Sequence, residues 1–170
     1  IISSIFFDVL KNNGYGAFLK TPFSKEIFKI EGIGFVDDTD ILQTGLNHED
    51  YMDITEKLQA AVALWEKCTE LSGGCLVPSK SWWTIVDFTW HKGRWSYATD
   101  FEEASLGIKS VTGQLESLRL LPPYEAQKML GVWLAPDGNN TKQIAEMRDI
   151  TTKWAEKVRT GVIDRRDAWQ

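Results

Sequence analysis

Cysteine is nearly absent from this chain of 170 residues. Cys68 and Cys75 stand seven positions apart and fit no paired zinc spacing, so a disulfide framework is excluded and buried thiols are expected. Histidine is as rare: His48 and His91 lie too far from the cysteines in sequence to complete a recognised metal spacing. No apolar run approaches the roughly 18–20 residues that span a bilayer, and Ile1-Ile2-Ser3-Ser4 lacks an initiator Met and the basic start of a signal peptide. The expectation is a piece of a longer intracellular chain with no membrane partner. There is no excess of basic residues either, since the net charge is −5, which argues against simple electrostatic capture of nucleic acid.

What is present is ordinary globular composition, 43% hydrophobic and 25% charged, with no repeat and no Pro/Gly/Ser linker. Charge is uneven along the chain. Residues 1–60 carry five Lys against ten Asp or Glu, whereas residues 141–170 carry seven Lys or Arg against five acids. An acidic first third with a mildly basic tail suits a site whose carboxylates hold cations while other parts meet phosphate.

Apolar spacing organises the rest. Ile5, Phe6, Val9 and Leu10 recur at helical intervals and stop at Asn12-Asn13-Gly14. Two β-rich runs, Ile27 to Val36 and Thr39 to Thr44, are interrupted by Asp37-Asp38, the pattern of a hairpin with an acidic tip. Asn47 is placed to cap a helix whose stripe is Leu58, Ala61, Val62, Trp65 and Cys68, ending at Gly73-Gly74. Strands follow at Trp82 to Trp90, Arg94 to Tyr97, Gly107 to Val111, Gln114 to Leu120 and Lys128 to Ala135. Ile144, Met147, Ile150, Trp154 and Val158 then mark an amphipathic helix from Lys142 to about Thr160.

Asp37, Asp38 and Asp40 put three carboxylates within four residues. Taken alone the cluster reads as a solvated turn, because Asp is a common turn residue. Crowded carboxylates also hold hard divalent cations, and two such ions about 3.5–4 Å apart can activate a hydroxyl and neutralise phosphate in phosphoryl transfer. Strand alternation sends consecutive side chains to opposite faces, so Asp37 and Asp38 need not share a role.

The surrounding blocks favour the second reading. Gly34-Phe35-Val36-Asp37-Asp38-Thr39-Asp40-Ile41-Leu42 resembles the aromatic-x-Asp-Asp palm hairpin of reverse transcriptases, particularly those of non-LTR retrotransposons. Ser72-Gly73-Gly74 through Lys80-Ser81 resembles the next palm motif, and Met129-Leu130-Gly131-Val132-Trp133-Leu134 resembles the Leu-Gly primer-grip hairpin. The stretch from Ile1 to Gly16 resembles the helix after the family's Gln-Gly motif.

The resemblance implies an α+β fold: part of a right-hand polymerase palm, an antiparallel sheet with packed helices, over residues 1–140, followed by a thumb-type helix over 141–170. It implies a parent reaction of template-directed DNA synthesis from deoxynucleoside triphosphates, with an RNA or DNA template and its primer as partners and Mg²⁺ or Mn²⁺ as cofactor. Carried over by position, Asp37 and Asp38 would be catalytic metal ligands, Asp37 the more direct. Lys80 would serve the triphosphate or its pyrophosphate leaving group, where negative charge builds. Phe35, Val36, Leu130 and Gly131 would contact substrate.

The family's earlier catalytic Asp strand and its Gln-Gly motif find no match within these residues, and Asp8 sits in a helical pattern. The N-terminal half of the polymerase is therefore expected upstream, with the fragment inactive alone. The alternative is a noncatalytic retrotransposon-derived remnant or interaction module. A metal-dependent nuclease or phosphatase fits the acids but leaves Lys80 and Leu130-Gly131 unused. The eight tryptophans could stack bases, yet Trp65 and Trp154 on helical stripes and Trp82, Trp83 and Trp90 in strand patterns are expected in the core. Asn139-Asn140-Thr141 fits a glycosylation sequon and is expected to be a plain turn.

Overall fold

The computed structural model describes residues 2–35, 38–46, 48–101 and 103–161. It is a mixed α+β chain of two compact units, Ile1–Leu121 and Pro122–Gln170. The division falls at a different point from the motif-based boundary at 140, so the Leu130-Gly131 hairpin shares a unit with the last helix.

In the N-terminal unit, α1 (Ile2–Asn12) stops at Asn13-Gly14, as its sequence signal requires. β1 (Ala17–Lys20) and β2 (Ile27–Ile30) form one antiparallel pair, β3 (Gly32–Phe35) and β4 (Asp38–Ile41) another. The run read as one strand from Ile27 is thus broken at Glu31, because its halves pair with different partners. The following run ends at Ile41 rather than Thr44, since the side chains beyond it serve β1: Gln43 Oε1 accepts from the Gly16 N–H at 3.1 Å and Thr44 Oγ1 from the Phe18 N–H at 2.9 Å.

The long helix α2 spans Tyr51–Leu71. Its cap is Asp50, not Asn47, which lies outside the described residues. Asp50 accepts from the Met52 and Asp53 N–H groups while the Asp53 carboxylate accepts from the Asp50 N–H, a reciprocal box that satisfies N-terminal donors a helix cannot satisfy itself. Two adjacent stripes of α2 feed two cores. Ala61 and Trp65 close over Leu10, with the Phe6 and Phe7 rings 5.2 and 5.0 Å from Trp65. Val62, with Leu58 beside it, packs into Trp83, Leu106, Ile108 and Leu118.

Beyond a single 3-10 turn at Pro78–Lys80, β5 (Trp82–Thr84) pairs in parallel with β10 (Arg119–Leu121). β6 (Phe88–His91) pairs with β7 (Arg94–Tyr97), and β8 (Gly107–Lys109) with β9 (Leu115–Ser117). The expected strand from Trp82 to Trp90 is therefore two strands with separate partners. The free edge of β8 is held by helix side chains: Gln59 exchanges two hydrogen bonds with the Gly107 backbone at 2.8 and 2.9 Å, and Glu66 accepts from the Lys109 N–H.

In the C-terminal unit, β11 (Gln127–Met129) and β12 (Val132–Leu134) flank Leu130-Gly131, and α3 runs Thr141–Arg159. Asn139 Oδ1 accepts from the Thr141 N–H at 2.9 Å, so the sequon stretch forms a turn at the helix entry. None of α3's side chains is buried. Among the described residues every ladder is two-stranded, and no helix is long and apolar enough to cross a membrane.

Candidate active site on the acidic hairpin

The register of β3 and β4 sets Phe35 opposite Asp38, Gly34 opposite Thr39, Ile33 opposite Asp40 and Gly32 opposite Ile41. Alternation then divides the hairpin into two faces. Gly32, Gly34, Thr39 and Ile41 share the inner face, where Ile41 packs against both cores and Phe7 of α1 lies on the glycines. A Cβ at Gly32 would come within 2.7 Å of the Phe7 ring, and one at Gly34 within 3.1 Å. These two positions are glycine because a helix aromatic occupies the space a side chain would need.

Asp38, Asp40 and Ile33 take the outer face, away from Phe7. Asp38 is exposed and Asp40 half-buried. Burial, followed by the charge of Asp38, raises the Asp40 carboxyl above its ordinary range. Asp40 was visible in the sequence as the third acid of the cluster. Its partnership with Asp38 follows from the i, i+2 spacing once the strand is in place. At the foot of the hairpin the Leu42 N–H donates to the Glu31 carbonyl at 3.0 Å, and Glu31 Oε1 is buried with no hydrogen-bond partner among the described residues.

Val36 and Asp37, the two positions between the strands, lie outside the described residues, as does the Phe35 side chain. Lys80 closes the 3-10 turn and is exposed. The segments carrying Asp38 and Lys80 adjoin the same interior: Ile41, three residues after Asp38, and Leu76, four before Lys80, pack against both cores. No ion pair joins Lys80 to Asp38 or Asp40 among the described residues.

Leu130 and Gly131 belong to the other compact unit. They form the two-residue turn of the β11–β12 hairpin with φ of 50° and 83°. Positive φ at both centres is the turn whose twist matches paired strands, and it costs about 1–2 kcal/mol at a residue with a Cβ. Leu130 is exposed there at 57%.

Three sequence expectations are corrected. Cys75 is exposed rather than buried. Trp90 and Trp154 are 60% and 46% exposed, while Trp65 and Trp83 are buried as their patterns imply. The periodicity of each run was real, but among the described residues Phe88 and Trp90 of β6 and Ile144, Met147, Ile150 and Trp154 of α3 are exposed.

A divalent magnesium or manganese ion takes hard oxygen ligands, using one or two carboxylates and leaving the remaining positions to water and substrate phosphate. Asp38, exposed on the outer face, offers one such carboxylate among the described residues. Among the described residues no group of three or more His, Cys, Asp or Glu is arranged to hold a metal. Asp37 is not among those residues. Comparison with known proteins finds no match to a family model, a curated protein or a solved structure.

Proposed function

We propose that this chain is the later part of a reverse-transcriptase palm with its primer-grip hairpin and first thumb helix, and that the β3–β4 hairpin carries its metal-binding carboxylates. The observation that carries the reading is the two-faced hairpin: an inner face kept smooth by Gly32 and Gly34 for Phe7, and an outer face bearing Asp38 and Asp40. That arrangement presents acids on a braced strand pair, which a merely solvated turn would not need.

In this reading Asp37 and Asp38 hold the divalent ion, which when bound activates the primer hydroxyl and offsets charge on the triphosphate. Asp40 keeps a carboxyl behind Asp38 that ionises reluctantly and would ionise more readily beside a cation. Lys80, exposed and free of carboxylate partners among the described residues, is suited to the charge developing on pyrophosphate. Leu130-Gly131 supplies a rigid tip for the primer strand.

The competing reading is a noncatalytic retrotransposon-derived module, favoured by the apolar residues of β6 and α3 that are exposed among the described residues. Mutation of the acid separates the two. In a polymerase rebuilt with the upstream half, Asp37→Asn should lower primer extension at least about 100-fold, given the several kcal/mol a catalytic metal supplies. Activity within a few-fold of the parent would sink the assignment. The 170-residue chain alone should extend no primer, and robust Asp37-dependent extension would show that its site is complete.

A further inference from the structure

The helix α3 has an apolar stripe for which the proposed chemistry has no use. Ile144, Met147, Ile150 and Trp154 follow one another at helical intervals, which places them in one stripe about 15 Å long. They are 48%, 56%, 59% and 46% exposed. The helix is tied to the β11–β12 hairpin by another flank, where Lys142 lies over the Trp133 ring, Gln143 accepts from the Trp133 backbone N–H and Glu146 from its indole N–H. A hollow on the stripe is lined by Ile144, Met147, Arg148, Thr151 and Thr152.

Charge selects what lies on the stripe. Every carboxylate of α3 is already engaged: Glu146 with Lys128 and Trp133, Asp149 with Lys153 at 2.6 Å, and Glu156 with Arg159 at 2.6 Å. Arg148 and Lys157 form no ion pair among the described residues. At about 100° of turn per residue, Arg148 lies about 100° to one side of Met147 and Lys157 about 80° to the other. The two free cations thus stand on opposite rims of the stripe, and Arg148 also lines the hollow. A second copy would bring the same two cations and no free acid of α3 to meet them. A lipid surface fits no better, because Pro122–Gln170 carry eight Lys or Arg against seven Asp or Glu, without the cluster of about four to eight cations that holds a helix on anionic lipid.

We propose that α3 docks against an acidic amphipathic helix of a partner protein, whose apolar side chains cover Ile144, Met147, Ile150 and Trp154 and whose carboxylates meet Arg148 and Lys157. Amphipathic helices are read through apolar anchors three, four and seven residues apart, the spacing this stripe offers. The apolar contact supplies affinity, and the rim cations choose the partner by the sign of its charge. The proposal goes beyond the reading of the acidic hairpin and is independent of it, since it involves neither metal nor nucleic acid.

Fluorescence anisotropy of two labelled synthetic peptides, titrated with the whole chain at low salt in EDTA, tests it without involving the metal site. Both peptides carry leucines at helical 3–4 spacing, one with glutamates flanking them and the other with lysines in the same places. The glutamate peptide is expected to bind at least about tenfold more tightly, by a margin that shrinks as salt is added. Arg148→Glu/Lys157→Glu should reverse the preference, a gain for the lysine peptide that an unfolded helix would not show. Met147→Ala/Ile150→Ala should weaken the glutamate peptide about tenfold. No binding of the glutamate peptide to the parent, equal affinity for the two peptides, a preference that survives charge reversal, or binding indifferent to Met147 and Ile150 overturns the proposal. So does a dimer, seen by sedimentation, that Met147→Ala/Ile150→Ala dissolves, because the stripe would then belong to a second copy. Cosedimentation with phosphatidylserine vesicles that the same variant abolishes overturns it too, in favour of a lipid surface.

Discussion

The two compact units hold their helices in opposite ways. In the N-terminal unit α2 buries Ala61, Val62 and Trp65 against rings and aliphatic side chains. In the C-terminal unit α3 buries nothing and is joined to its hairpin by a polar latch around Trp133. The Trp133 indole N–H donates to Glu146, Lys142 lies 3.3 Å above its ring, Lys128 pairs with Glu146 at 3.1 Å, and Gln143 accepts from the Trp133 backbone N–H at 2.8 Å. The Trp133 and Lys128 hydrogen bonds hold the Glu146 carboxylate below its ordinary range. Both helices have an apolar stripe at 3–4 spacing. A periodic stripe therefore specifies that a helix forms, while its burial depends on whether another element is available to cover it.

Removing Trp65 should produce the largest effect. Trp65→Ala deletes both phenylalanine ring contacts and leaves a cavity at a site 6% exposed, so a loss of about 3–5 kcal/mol is expected. Hydrogen exchange would show protection falling through α1 and α2 and unchanged in α3. Trp133→Ala is the matching cut in the other unit, with an expected cost of about 1–2 kcal/mol from cation–π contacts and hydrogen bonds. Exchange should speed up in α3 and the β11–β12 hairpin alone. If the two substitutions proved equally costly, the contrast between a buried core and an exposed latch would be wrong.

What could be read in the sequence was local. Helix stripes, the stop at Asn13-Gly14, the acidic hairpin and the Leu130-Gly131 block depend on spacing and turn residues within a few positions. What could not be read depends on remote partners. The parallel pairing of Trp82–Thr84 with Arg119–Leu121 joins strands 37 positions apart in register. Asp50 displaced Asn47 as the cap because Asp53 completes a reciprocal box that the single-residue signal did not weigh. The aromatic alternation through Phe88 and Trp90 announced one shared face, but a strand pattern does not state whether that face is covered. At the candidate site the acids were evident, and the reason for Gly32 and Gly34 became visible only with Phe7 in place.

Asp40 gives the smallest effect and connects stability to the proposed chemistry. Burial first, and Asp38 second, raise its carboxyl in the folded state. For a group with a raised folded pKa, the favourable contribution is complete below the unfolded value, about 4 for Asp, and is lost as pH rises through the folded value. The charged form is therefore a modest burden at neutral pH. Asp40→Asn should make the N-terminal unit slightly more stable at pH 7 and leave it unchanged once the pH falls below the ordinary carboxylate range, as denaturant melts at the two pH values would show. A cation bound at the neighbouring acids would favour the ionised carboxyl, so Mg²⁺ should shrink the pH 7 advantage of the asparagine variant. If the variant were instead less stable at neutral pH, the Asp40 carboxylate would be holding structure rather than straining it, and its place behind a metal ligand would have to be given up.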